Sequence, residues 1–89
     1  MERYVVAVTH QNRNKREKIV AFYEEGQSTP IQRETFIMFL QPHFGDLWKT
    51  KAVDGTTAKI QVRHVDGKDY VRTDSDEIPE DNLGELPEK

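Results

Sequence analysis

The residues best suited to bind a polyanion alternate along three neighbouring segments, LWKTKAV, TTAKIQVRHV and KDYVRT. If each segment is a β-strand, every second side chain points to the same face. That face would carry five cations and one tyrosine: Lys49, Lys51, Lys59, Arg63, Arg72 and Tyr70. Cations neutralise phosphates and a tyrosine ring stacks on a base, so the pattern predicts weak single-stranded nucleic-acid binding. The alternative is a solvated face, since lysine on strands also deters edge-to-edge aggregation.

A second group of cations lies in the polar segment QNRNKREK. Its composition predicts a loop between two strands, which is either a phosphate-binding extension or a hydrated connection. We include three of its residues in the candidate nucleic-acid surface: Arg13, Lys15 and Arg16.

Three histidines, His10, His43 and His64, are the candidates for catalysis or metal binding. They form neither an i, i+4 pair nor a His-x-His pair, so their spacing matches no metal-site motif. We expect His64 to face Asp69 across a turn and to stabilise that turn. The sequence therefore predicts no enzyme, no metal and no cofactor. A small hydrolase or metal enzyme is the alternative, and it would need a role for His64.

One helix is predicted in the segment STPIQRETFIMFLQP. Thr29 is a suitable N-cap, Pro30 suits the first helical position, and Gln32 would complete a capping box. The helix should span three turns and end near Gln41, because Pro42 disfavours a helical conformation in the residue before it. An apolar stripe at helical spacing would pack on a sheet: Phe36, Phe39, Leu40 and His43.

Strand-like segments lie on both sides of this helix. RYVVAVTH and KIVAFYEE precede it, and three alternating segments follow it, separated by Asp54-Gly55 and Asp66-Gly67. An Asp-Gly pair between alternating segments predicts a tight hairpin. The element order is therefore ββαβββ, an α+β fold with one helix on an antiparallel sheet that ends in a three-stranded meander. In that meander Arg63 would lie opposite Tyr70.

Composition limits the size and class of the protein. A chain of 89 residues forms one small domain with little room for an enclosed site. The absence of cysteine excludes disulfides, thiolate catalysis and Cys-ligated zinc. The apolar runs are far shorter than the roughly 20 residues of a membrane span, and MERYVVAV lacks the features of a signal peptide. We therefore expect a cytoplasmic protein with no membrane partner.

The C-terminal segment, residues 74–89, differs from the body in charge. Residues 1–73 hold twelve Lys or Arg and nine Asp or Glu, a net charge of +3, whereas residues 74–89 hold one Lys and seven acids, a net charge of −6. A disordered acidic tail would be poor in apolar residues. Leu83 and Leu86 are spaced to share one face of a helical turn, so we expect them to dock this segment on the body.

The same segment resembles a known family. GKDYVRTDSDEIPEDNLGELPE is similar to the end of the small bacterial proteins grouped as domain of unknown function 3892, and the order of hairpin, helix and meander is similar too. The specific part of the likeness is a C-terminal motif of Asp81, Asn82, Leu83, Leu86 and Pro87. The resemblance implies a fold that includes its C-terminal segment, and it implies no activity.

These features together favour a non-enzymatic protein-interaction module whose partner is another protein. Single-stranded nucleic-acid binding through the cationic face is the first alternative, and a small hydrolase or metal enzyme is the second.

Overall fold

The computed structural model describes residues 1–12, 18–41, 44–73, 81, 83 and 86–89. This part of the chain contains one helix and seven strands, and the predicted α+β class is confirmed. The elements are β1 (Glu2–His10), β2 (Ile19–Glu24), β3 (Ile31–Gln32), α1 (Arg33–Phe39), β4 (Leu47–Lys51), β5 (Thr57–Lys59), β6 (Gln61–Val65) and β7 (Lys68–Arg72).

Five strands form one sheet in the order β3-β2-β1-β4-β5. β1 pairs antiparallel with β2, and β4 pairs antiparallel with β5, as the sequence predicts. β1 and β4 are parallel, with Glu2 opposite Leu47 and Val5 opposite Thr50. The sheet is therefore mixed, where the sequence predicted an antiparallel one. A parallel neighbour requires a long crossover, and residues 11–46 provide it by returning the chain to the starting end of β1.

The predicted three-stranded meander is divided between two sheets at Ile60. β5 pairs with β4 in the large sheet, whereas β6 pairs with β7 in a separate sheet of two strands. Ile60 is buried in the core, and its N–H donates to the carbonyl oxygen of Trp48 at 2.9 Å. The chain thus leaves the large sheet at a residue whose side chain fills the core. Asp66 and Gly67 then close the second hairpin with φ values of 51° and 76°, the left-handed pair of a type I′ turn.

The helix is shorter than predicted. Its N-cap is Gln32, which makes no side-chain capping hydrogen bond, so the capping box at Thr29 is wrong. The reason is tertiary: Ile31 pairs with Phe22 and Gln32 with Ala21, so these residues are drawn into the sheet as β3. In the described part of the chain, no helix is long and apolar enough to span a membrane.

Aromatic rings join α1 to one face of the large sheet. Phe36 stacks on Phe22 with 4.1 Å between ring centroids and meets Trp48 edge-to-face at 4.9 Å. Phe36 is fully buried, and Phe39 and Leu40 pack against the core. His43 of the predicted stripe and Pro42 lie outside the described residues. The rest of the buried core comprises Val5, Val8, Ile19, Ile60, Val71, Leu83 and Leu86.

A β-bulge in β1 decides which side chains reach this core. The register between β1 and β2 shifts between Val5 and Ala7. Val5 and Val8 are 0% and 2% exposed although they are three residues apart, and regular alternation would point them to opposite faces. The bulge lets both valines face the core. Ala7, opposite Tyr23, then lies on the other face of the sheet.

Candidate functional site

The carboxylate of Asp81 accepts four hydrogen bonds from described residues. Its side chain is 0% exposed. Oδ2 accepts hydrogen bonds from the N–H of Ile19 at 2.6 Å and from Nη1 of Arg33. Oδ1 accepts from the N–H of Val71 at 2.8 Å and from Nη2 of Arg33 at 3.0 Å. One carboxylate therefore joins the C-terminal segment to β2, α1 and β7.

Arg33, the first residue of α1, completes this arrangement. Nη1 also donates to the carbonyl oxygen of Ile19 at 2.7 Å, and Nη2 to that of Asp69 at 2.8 Å. A planar guanidinium suits such a two-pronged contact with a carboxylate. We call the pair of Arg33 and Asp81 the clasp. Because every described partner is either the opposite charge or backbone, the clasp stabilises the fold.

The C-terminal motif lies where the fold closes. Leu83 and Leu86 are 4% and 3% exposed and belong to the core, whereas the Pro87 side chain is exposed. Asn82 lies outside the described residues. Sequence reasoning found Asp81 through the family resemblance but missed Arg33. The available signal was an arginine at the start of a helical segment whose last four residues are apolar.

The last residues continue the sheet beside β1. The N–H of Val8 donates to the carbonyl oxygen of Pro87 at 3.0 Å, and the N–H of Lys89 donates to that of Val8 at 2.8 Å. Glu88 accepts a hydrogen bond from the N–H of His10 at 2.7 Å, and its other oxygen lies 2.5 Å from Nδ1 of His10. β4 covers the first half of the same β1 edge. The C-terminal residues therefore cover β1 where β4 has ended.

The two edges of the β6–β7 hairpin differ in whether described residues bond to them. At β7, Arg33 of the clasp donates to the outward-pointing carbonyl of Asp69, and Asp81 accepts from the outward-pointing N–H of Val71. His64 and Val62 are the residues directly opposite these two across the hairpin. In an antiparallel ladder, the two residues of a non-hydrogen-bonded pair both point their backbone N–H and C=O groups away from each other, toward the outer edges. The N–H and C=O groups of Val62 and His64 therefore form the outer edge of β6, and no described residue bonds to them.

The predicted cationic face is only partly present. Lys49 and Lys59 are opposite each other on β4 and β5 and so share a face. Lys49 pairs with Glu2 at 2.8 Å, and Lys51 pairs with Glu25 at 2.8 Å. The hydrogen bond from Lys49 lowers the pKa of Glu2, and the two carboxylates raise the pKa of both lysines. Among the described residues, none pairs with Lys59.

The arginines of the second hairpin do not extend this face. Arg63 lies opposite Tyr70, as predicted, but both belong to the separate two-stranded sheet and are half-buried. Arg72 is 1% exposed, so its predicted position on an exposed face is wrong. The base of the hairpin is covered on both faces, and alternation cannot reveal such double coverage. The predicted loop residues Arg13, Lys15 and Arg16 lie outside the described residues.

A surface that sequence reasoning missed lies on the side of the large sheet away from α1. Tyr4 shares this face with Lys49, its neighbour on β4, and Tyr23 shares it with Ala7. The amino groups of Lys51 and Lys89 lie 5.5 Å and 5.2 Å from the ring centroids of Tyr4 and Tyr23, respectively. We call this surface the open face; its aromatic and cationic residues on the strands are Tyr4, Tyr23, Lys49, Lys51 and Lys59. The bulge in β1 places both tyrosines on the same face, and no local pattern predicts that bulge.

A groove of about 590 Å³ lies beside the clasp. Its lining includes two lysines, Lys18 and Lys68, and two carboxylates, Glu34 and Asp69, in addition to the clasp itself. With Arg33 and Asp81 included, its described lining holds three cations and three carboxylates, so these charges balance.

The histidines are held in pairs with carboxylates. Nδ1 of His64 contacts Asp69, its cross-strand partner, as predicted, and both side chains remain substantially exposed. His10 is paired with Glu88 at the end of β1, and His43 lies outside the described residues. Within residues 1–12, 18–41, 44–73 and the described C-terminal positions, no three His, Cys, Asp or Glu side chains converge as metal ligands.

Comparison with known proteins identifies one family. The family model described as "Protein of unknown function (DUF3892)" matches residues 4–87. No curated protein and no solved structure matches the chain. The matched range includes α1, nearly all of both sheets and the C-terminal motif through Pro87, so the similarity applies to the whole fold.

Proposed function

The chain belongs to the DUF3892 family of proteins of unknown function, and we propose that it is a non-enzymatic protein-binding module. In this proposal, an extended segment of the partner protein pairs with the outer edge of β6 and adds a third strand to the two-stranded sheet. The observation that carries the proposal is the contrast between the two edges of this hairpin. The clasp bonds to β7, whereas Val62 and His64 on β6 present backbone groups to which no described residue bonds.

Strand addition suits this edge physically. An edge strand presents a row of N–H and C=O groups that another extended chain can pair with, and main-chain hydrogen bonds then supply the affinity. β6 is a regular strand of five residues with no bulge in its pairing to β7. The clasp and the type I′ turn both hold the hairpin, so the edge is ordered before a partner arrives. Pre-organisation of this kind lowers the entropic cost of binding.

The charges near β6 favour a foreign segment over a second copy of this chain. If two copies paired antiparallel through β6, Arg63 of one copy would lie opposite Arg63 of the other. Like charges directly opposite each other destabilise a strand pair. Lys59 and Lys68, near the two ends of β6, are exposed and also cationic. We therefore expect the partner segment to be extended and acidic.

The test uses a blocked peptide of alternating valine and glutamate as the probe, with the matching valine–lysine peptide as its control. We expect the acidic peptide to shift the backbone amide signals of Val62 and His64 in an NMR titration and to slow their hydrogen exchange. The lysine peptide should leave these signals unchanged. Shifts located elsewhere, or none with either peptide, would overturn the proposal.

A matched pair of variants tests the backbone directly. His64→Pro removes one outward-pointing N–H, and proline is tolerated on an edge strand where that N–H has no partner. His64→Ala removes the imidazole and keeps the N–H. We expect His64→Pro to abolish peptide binding while His64→Ala retains it, with circular dichroism confirming that both variants fold. Equal binding by the two variants would mean that the β6 edge is not the site.

A further inference from the structure

We infer that the open face of the large sheet is a second binding surface, and that its ligand is single-stranded nucleic acid. This surface and this ligand are separate from the β6 edge and its protein partner. The inference starts from the placement of aromatic and cationic groups on four adjacent strands of one sheet.

The groups are ordered across the sheet. Following the strand order from β2 to β5, the open face carries Tyr23 on β2, Tyr4 on β1, Lys49 and Lys51 on β4, and Lys59 on β5. The two tyrosines are carried by β2 and β1, and the three lysines by β4 and β5. A nucleic-acid strand that crosses the sheet would place its bases over the tyrosines and its phosphates over the lysines. This is the division of roles that single-strand binders use, with stacking for bases and a cationic track for the backbone.

The existing contacts of these groups are easily exchanged. Lys49 and Lys51 are paired with Glu2 and Glu25, whose side chains are 50% and 49% exposed. Exposed ion pairs of this kind contribute little to stability. A phosphate can therefore replace a carboxylate as the partner of the lysine with little loss of folding free energy. Lys59 is exposed and needs no exchange.

The tyrosine rings are also accessible to a base. Each ring is half-buried, and a flexible lysine side chain is placed over each, Lys51 at Tyr4 and Lys89 at Tyr23. A lysine above a ring that moves to a phosphate would leave the π-face to a base. The hydroxyl of Tyr4 donates to Glu2 at 3.0 Å, which fixes the orientation of that ring.

Chemistry favours a nucleic acid over a protein at this face. The alanines that share this face, Ala7 and Ala21, are 3% and 8% exposed. Tyrosine is also used at protein hot spots, but lysine is depleted at protein interfaces, so the lysines of this face favour a nucleic acid. The face offers two rings and a surplus of lysines, which match stacked bases and phosphates.

The test measures binding of fluorescent oligouridylate and oligothymidylate by anisotropy at low and at physiological salt. We expect Tyr23→Ala to weaken binding by about 5- to 150-fold, the usual effect of losing one stacked base. Tyr23→Phe should bind like the unmodified protein, because it keeps the ring. Tyr70→Ala is the matched control, since Tyr70 lies on the separate hairpin, and it should have little effect.

The lysines are tested by charge reversal. If three lysines contact phosphates, the logarithm of the binding constant should fall with the logarithm of salt concentration with a slope of about −2, since single strands give about −0.7 per contact. Lys59→Glu should reduce this slope and weaken binding, and Lys68→Glu should do neither.

Two results would overturn the inference. One is the absence of oligonucleotide binding at low salt. The other is that the control variants Tyr70→Ala and Lys68→Glu weaken binding as much as Tyr23→Ala and Lys59→Glu do. The variant His64→Pro separates the two proposals. It should lose the acidic peptide and keep the oligonucleotide, so either proposal can fail without the other.

Discussion

The clasp and the open face contain the same kinds of ion pair in opposite surroundings. In the clasp, Asp81 and Arg33 have side chains 0% and 10% exposed, and each also bonds to two backbone groups. On the open face, Lys49 and Glu2 are joined at 2.8 Å with side chains 27% and 50% exposed. The pairing chemistry is similar, but only the clasp has been taken out of water.

That difference separates stability from binding. Removing one member of a buried pair leaves an uncompensated charge and unpaired N–H groups, which is costly. Removing one member of an exposed pair leaves a charge that water solvates. The clasp is therefore part of the architecture, whereas the lysines of the open face can change partners. Candidate binding residues belong to the second group.

The largest expected effect is that of breaking the clasp. Asp81→Ala would leave Arg33 and the N–H groups of Ile19 and Val71 without their hydrogen-bond acceptor in the interior. We expect a loss of about 3–5 kcal/mol in the free energy of unfolding, because that is the typical cost of breaking a buried pair. For a domain with about 5–15 kcal/mol in total, this loss is a large share, and at the low end of the range it would leave a measurable fraction unfolded. Urea denaturation followed by circular dichroism measures it.

The double variant Arg33→Met/Asp81→Ala provides the control for that result. It removes both charges, so it should lose less stability than the sum of the two single variants. Additive losses would show that the two residues act independently and that the clasp is not a unit.

A smaller effect is expected where the C-terminal segment meets the core. Leu86→Ala should lower the free energy of unfolding by about 2–5 kcal/mol, because it removes apolar contacts and leaves a cavity. Val53→Ala is the matched control, since Val53 is 88% exposed and should be nearly neutral. Equal denaturation midpoints for the two variants would mean that the segment contributes nothing to the core.

The smallest expected effect belongs to the open face. Glu2 raises the pKa of Tyr4 by accepting its hydrogen bond, so Glu2→Gln should lower the Tyr4 pKa toward its ordinary value. Because the folded-state pKa of Tyr4 is raised, its contribution to stability is present below the unfolded pKa and is lost as pH rises through the folded one. Ultraviolet titration of the phenol measures the change. The denaturation midpoint at neutral pH should not move, and a large decrease would contradict the contrast with the clasp.

Several features follow from the sequence alone because they depend on neighbouring residues. Asp66-Gly67 determines a type I′ turn, since both residues must adopt positive φ. That turn sets the register of Arg63 with Tyr70 and of His64 with Asp69. Strict alternation on β4 places Trp48 and Thr50 in the core and the lysines outside. The apolar Leu83 and Leu86 within an acidic segment indicate anchors, and both are buried.

Other features are decided only by contacts between residues far apart in the chain. The parallel pairing of β1 with β4, the division of the meander at Ile60 and the bulge in β1 all depend on how α1 and the sheet fill one core. Arg33 and Asp81 are 48 residues apart, and nothing local links them. Arg72 is buried although alternation places it outside, because tertiary packing covers both faces of its strand. Local sequence fixes turns and periodicity, whereas burial is set by the whole fold.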